Sequence, residues 1–162
     1  MKENSRLALR AAVLTLAADW LSKYWVQRLL PAGQPVPVFP GFNLTYVLNT
    51  GAAFSLLSNL PAWLRFPFFS AVTLAALGAI FFMLRGMQAR DRLTSLALGL
   101  VAGGALGNLW DRFRLGRVVD FLEFGVPRLY TWPVFNLADS AVCVGVGLLI
   151  LKSFRKEPKA SV

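Results

Sequence analysis

With no histidine and a single cysteine, Cys143, the chain can assemble neither a Ser-His nor a Cys-His nucleophile, and it lacks the ligands for a zinc site. Any acid-base chemistry must therefore rest on carboxylates. Four aspartates stand out because each sits at the edge of an apolar run, where a charge is costly to keep: Asp19, Asp111, Asp120 and Asp139. Several pairs are possible, and the neighbours narrow the choice. Asp19 precedes Lys23 by four residues in DWLSK, the favourable order for an ion pair within a helix, while Asp111 adjoins Arg112 in GNLWDR with Arg114 also in reach. A nearby cation favours the charged carboxylate, which is a poor proton donor, so both of these acids read as structural. Asp120 follows RVV, and if that run is extended, Arg117 faces the other way. No Lys or Arg stands between Arg128 and Lys152, which leaves Asp139 without a nearby cation, although Asn136 and Asp139 in FNLADS also fit a helix N-terminus like a capping box. Two carboxylates in a partly dry site cannot both ionise easily, so one keeps a proton while the other stays basic. Splitting an amide with water needs that division: one group takes a proton from the attacking water, and the other protonates the carbonyl oxygen or the leaving amine.

The elements that must position these groups are membrane helices. A hydrophobic content of 56% and a mean hydropathy of +0.56 lie outside the range of ordinary soluble domains. Apolar segments at about 7–30, 64–84, 93–110 and 137–151 approach the roughly 20 residues that a helix needs to cross a bilayer. They leave no room for a second domain, so residues 1–162 are expected to form one all-α integral membrane domain of four transmembrane helices. Lys2, Arg6 and Arg10, then Arg85, Arg90 and Arg92, then Lys152, Arg155, Lys156 and Lys159 mark three places as cytoplasmic by the positive-inside rule. Both termini are then cytoplasmic, residues 31–63 and 111–136 face outward, and all four aspartates lie toward that side. Trp20, Tyr24, Trp25, Trp63, Trp110, Tyr130 and Trp132 fall near the outward ends, as an interfacial aromatic belt would. Because the net charge of +9 is sorted by topology rather than gathered on one face, no nucleic-acid partner is expected. The first segment has the basic flank of a secretory signal, but Asp19 and Lys23 interrupt its apolar run and it reads as a retained helix.

The outward segments are more than linkers. Pro and Gly punctuate short β-prone runs in PAGQPVPVFPGFNLTYVLNT (31–50), which predicts a small extracytoplasmic β-cradle against the membrane surface. SNLPAWLRF (58–66) predicts a short interfacial helix with Trp63 and Phe66 toward lipid and Arg65 toward water. Gly99, Gly103 and Gly107, at intervals of four, permit close approach between membrane helices, and Cys143 reads as a small buried hydrophobe.

DWLSK (19–23), NTGAAFS (49–55), GGALGNLWDR (103–112), VVDF (118–121) and FNLADS (135–140) occur in the order and spacing of the bacterial lipoprotein signal peptidases, and the chain resembles this signal peptidase II family over nearly its whole length. The resemblance implies an intramembrane aspartic endopeptidase of the bacterial inner membrane, with its active site toward the periplasmic side. Such an enzyme removes signal peptides from prolipoproteins, cutting just before a cysteine that carries diacylglycerol. The family's catalytic aspartates map onto Asp120 and Asp139, in agreement with the pair preferred above. Asn49, Asn108, Arg112 and Asn136 map onto polar positions that line the site, Asp19 and Lys23 onto supporting positions, and Asp111 onto a structural acid. Gly51, with Ala52 and Ala53, suits an outward loop lying close to a bulky lipidated substrate. The implied partners are lipidated prolipoproteins and membrane lipid, with the chain acting as a monomer and no metal or organic cofactor required. The alternative is a small proton-coupled membrane carrier, since intramembrane carboxylates on four helices also suit a proton relay. A relay needs ionisable steps across the bilayer, whereas these acids cluster on one side. An assembly subunit that docks a partner on the Gly-rich third helix would leave the outward polar cluster unexplained.

Overall fold

Large apolar side chains such as Leu14, Leu74, Phe82 and Leu151 face outward, while Asp19, Lys23, Asp111, Asp120 and Asn136 are buried. This inversion suits a lipid surround, where the outer face must be apolar and charges are kept only if paired inside. The computed structural model describes residues 3–51, 61–87, 90–126 and 130–154. Its elements run α1 (Glu3–Leu29), β1 (Pro35–Phe39), β2 (Phe42–Asn49), α2 (Ala62–Gly86), α3 (Arg92–Leu115), β3 (Val118–Val126), β4 (Tyr130–Thr131) and α4 (Leu137–Ser153).

Helix α3 is the central post, and its glycines are why. A Cβ at Gly99 would collide with Ala8 and Ala11 of α1, one at Gly103 with Ala12 and Thr15, and one at Gly104 with Ala138 and Val142 of α4. Bare backbone on two faces lets α1 and α4 come close enough for side chains of all three helices to meet. Asp91 caps the start of α3 by accepting the Thr94 N–H, and Gly116, at φ 67, ends it in the left-handed conformation. That turn feeds the chain directly into β3, so the last turn of α3 lies beside the first residues of the strand.

The four strands form one antiparallel sheet in the order β1-β2-β3-β4. Strand β2 pairs with β3 so that Val47 faces Asp120 and Asn49 faces Val118, after a shift of register between Leu44 and Val47. Stacked rings of Phe42, Phe124 and Phe135 hold one end of the sheet. Val26 of α1 packs with Val119 and Phe121 of β3 in the small core beneath it, which fixes the cradle on the helices.

The helices correct several boundaries. Helix α3 was expected to end at 110 but continues to Leu115, so Asp111 and Arg112 are helical residues. Loss of apolarity marked the expected end, whereas the left-handed Gly116 sets the real one. Trp63, Arg65 and Phe66, expected in a separate interfacial helix, form the first turns of α2, and residues 58–60 of that stretch lie outside the described residues. Cys143 is exposed rather than buried, beside the outward-facing Val144 on the apolar surface of α4. By length and composition Trp63–Gly86 and Arg92–Leu115 are apolar enough to cross a membrane. Helix α1 is long but carries Arg6, Arg10, Asp19, Lys23 and Arg28, and α4 has 17 residues.

Candidate active site

Asn108, Asp111 and Arg112 share one face of α3 because residues three and four apart on a helix are neighbours. They meet Asp19 and Lys23 from α1, Asn136 and Asp139 from the start of α4, Asp120 from β3, and Asn49 from the end of β2. Asn136 is the N-cap of α4: its Oδ1 accepts the Asp139 N–H at 2.8 Å. Its Nδ2 donates to Asp120 Oδ1 at 2.6 Å and also approaches Asn108 Oδ1 at 3.1 Å and Val119 O at 3.3 Å. Asn108 in turn donates its Nδ2 to Asp139 Oδ1 at 2.8 Å. Asp120 and Asp139 are thereby joined through two side-chain amides. The helix cap belongs to Asn136, while the carboxylate of Asp139 accepts from Asn108.

The second oxygen of Asp120 accepts from Asn49 Nδ2 at 2.9 Å, and Asn49 Oδ1 accepts the Gly51 N–H at 2.8 Å. Arg112 holds the same loop from the other side, donating Nη2 to Gly51 O at 2.8 Å and Nη1 to Asn108 O at 3.2 Å, with its guanidinium 4.3 Å from the centre of the Phe69 ring. Gly51 is buried; Ala52 and Ala53, its companions in the sequence reading, lie outside the described residues.

Lys23 does pair with Asp19, at 2.7 Å, but the expected partner of Asp111 is corrected: Asp111 Oδ2 lies 2.9 Å from Lys23 Nζ, while Arg112 turns to the Gly51 carbonyl and Arg114 to Gln27. Adjacent residues on a helix do not face each other, so Arg112 diverges from Asp111, whereas Lys23 of the neighbouring helix reaches the carboxylate. Sequence reasoning also missed two backbone groups. Asp19 Oδ1 accepts the Ala138 N–H at 2.9 Å, and Asp111 Oδ2 accepts the Val119 N–H at 3.1 Å. The signal that could have found them is their position, each one residue before a member of the Asp120–Asp139 pair. A Cβ at Gly107 would strike the Asp19 carboxylate, so this glycine makes room for the buried acid.

Asp120 is 1% exposed and Asp139 half-buried, so the pair has a dry member and one nearer to water. Burial pushes the Asp120 carboxyl from 3.8 up to about 7, and the charge of Asp139 pushes the same way, against hydrogen bonds from Asn49 and Asn136 and the Lys23 cation. Two carboxylates positioned by side-chain amides, one of them with its proton affinity raised by burial, form an arrangement suited to general acid-base catalysis on a bound amide.

The family model of signal peptidase (SPase) II matches residues 11–155 of the chain. Similar proteins include the lipoprotein signal peptidase of Geobacter metallireducens, 46% identical over 99% of this chain and 98% of that protein. The lipoprotein signal peptidase of Aeromonas hydrophila is 45% identical over 93% and 90%. A solved structure of a bacterial membrane enzyme superposes with a TM-score of 0.82 at 30% identity, covering 96% of this chain and 93% of the other.

Proposed function

This chain belongs to the signal peptidase II family, and from that premise we propose that it is an intramembrane aspartic endopeptidase of the bacterial inner membrane that removes the signal peptide from prolipoproteins. It cuts before the diacylglyceryl-modified cysteine. The observation that carries this reading is the hydrogen-bonded line Asp120–Asn136–Asn108–Asp139, which couples two carboxylates at one end of a helical bundle. Asp120 and Asp139 share the acid and base roles. As water attacks the carbonyl carbon of the scissile peptide, the ionised carboxylate takes its proton and the protonated one supplies the carbonyl oxygen. The tetrahedral intermediate collapses when the C–N bond breaks and the leaving amine receives a proton from the pair. Asn49 and Arg112 hold the Gly51 loop against the site, where it can meet the substrate backbone.

Four membrane crossings with both termini cytoplasmic complete the reading, supported by the apolar outer surface of the helices and by the basic residues at 85–92 and 152–159. A signal peptide crossing the bilayer as a helix then presents its cleavage site to the outward end, where the dyad meets water. A topology reporter fused after Lys159 should read as cytoplasmic; a periplasmic signal would put the site on the wrong face. Family membership lends no support to the proton-coupled carrier. The substrate is tested with purified protein in detergent on a precursor with and without diacylglycerol on its cysteine. Cleavage of the lipidated form alone is expected, and equal rates on both would make the protein a general signal peptidase.

A further inference from the structure

Lys23 lies 2% exposed among three acceptors: Asp19 Oδ2 at 2.7 Å, Asp111 Oδ2 at 2.9 Å and Asn108 Oδ1 at 3.2 Å. An ammonium has three donors and no acceptor, so its capacity is matched one for one. Each acceptor then leads to the reacting pair. Asp19 holds the Ala138 N–H, one residue before Asp139; Asp111 holds the Val119 N–H, one residue before Asp120; and Asn108 donates directly to Asp139. The two catalytic segments come from different elements, β3 and the first turn of α4, and both are tied to this one nitrogen of α1.

The third bond also fixes an orientation. Lys23 Nζ and Asn136 Nδ2 both approach Asn108 Oδ1, and both are donors, so the carbonyl end of Asn108 must face them and its N–H must face Asp139. With Asn108 flipped, two donors would meet an amide nitrogen and a carbonyl oxygen would meet a carboxylate.

We propose that Lys23 is a positioning residue whose buried ammonium sets the separation and orientation of Asp120 and Asp139. A single salt bridge would tie Lys23 to one element only. The two carboxylates and the amide instead divide the ammonium among the strand, the helix cap and the direct donor to Asp139. The inference rests on Asp120 and Asp139 being the catalytic pair.

The test is turnover of a lipidated precursor, per folded molecule in detergent, for Lys23→Met and for the double variant Lys23→Met/Asp111→Asn, which removes one charge of each sign and so spares the fold an additional unpaired acid. Expected is a fall in kcat on the order of 100-fold with KM little changed, since misplacement of reacting groups by an ångström costs about that much. Lys23→Arg, whose donors are spread over a planar fork, should not restore kcat although it keeps the charge. The pH profile of kcat should also move, because the partners of the dyad have changed. Should the folded double variant turn over at the wild-type rate, or should Lys23→Met lose only folded yield with kcat intact, Lys23 is a stabilising residue and the proposal fails. Asp120→Asn and Asp139→Asn, run alongside, separate the two readings: active versions of these would remove the dyad itself, whereas inactive versions beside a fully active Lys23 variant would remove only this inference.

Discussion

Two polar clusters tie α1, α3 and α4 together, one at each end of the bundle, and they are built differently. At the end where α3 begins, Asn4 accepts the Asp91 N–H at 3.1 Å, Asp91 caps α3 at Thr94, and Lys152 of α4 pairs with Asp91 and donates to Thr94 Oγ1 at 2.8 Å. Lys152 and Asp91 are 35% and 25% exposed, and Glu3 pairs with Arg90 nearby, so each of these acids meets one base in reach of solvent. At the other end Asp19, Asp111, Asp120 and Asp139 face Lys23 and Arg112, and the donors of Arg112 go to the backbone carbonyls of Gly51 and Asn108. The first cluster clips helix ends with balanced charge. The second gathers more carboxylates than cations at a largely buried site, an arrangement that opposes folding and is common where chemistry needs a displaced proton affinity.

Neutralising the surplus should have the largest effect. Asp120→Asn and Asp139→Asn each preserve the shape of the carboxyl but can neither take nor give the proton, so turnover of a lipidated precursor should fall on the order of a thousandfold in a protein that still folds. The two defects should not add in the double variant, because in the proposed mechanism both groups serve one step. Asp111→Asn and Asp19→Asn should lower folded yield more than either dyad substitution does. A folded, inactive Asp19 variant beside a fully active Asp139→Asn would assign the pair wrongly.

The next effect is on pH. Asp120 keeps its proton up to about 7 in the folded protein against 3.8 ordinarily. Below 3.8 the folded and unfolded chains both hold this proton; between there and about 7 only the folded chain does, so stability falls as pH rises through that window. Turnover should also decline on the alkaline side of about 7 as the shared proton is lost. Thermal unfolding in detergent across this range should show a shallower slope for Asp120→Asn than for the wild type, and an identical slope would mean that Asp120 is ionised throughout.

The clip should yield the smallest effect. Asp91→Ala removes the cap of α3 and the partner of Lys152, a loss of about 1 kcal/mol in stability. Lys152→Met should cost at most about 1 kcal/mol, given its exposure. In both, turnover per folded molecule should equal that of the wild type; a lower kcat would show that the two ends are coupled through α3.

Local rules made much of this molecule legible. Long apolar runs marked four helices, the Pro- and Gly-punctuated stretch marked the strand that became Phe42–Asn49, and i to i+4 spacing marked the Asp19–Lys23 pair, all within a few residues along the chain. The N-cap role of Asn136 belongs to the same class, its bond to the Asp139 N–H spanning three residues. Composition reached further, since the lack of histidine leaves carboxylates as the chain's candidate acid-base groups.

The wiring of the site was decided elsewhere. Lys23 meets Asn108 across 85 residues and Asn49 meets Asp120 across 71, so neither contact has a local signature. Asp111 illustrates the consequence: its nearest cation in sequence is Arg112, but its partner in space is Lys23. Sequence alone determined which residue types were present and on which stretch of helix or strand they would ride. Tertiary structure decided which of them would touch, because α3 offers bare glycine backbone to α1 and α4, and that approach brings side chains from three helices and two strands within hydrogen-bond distance.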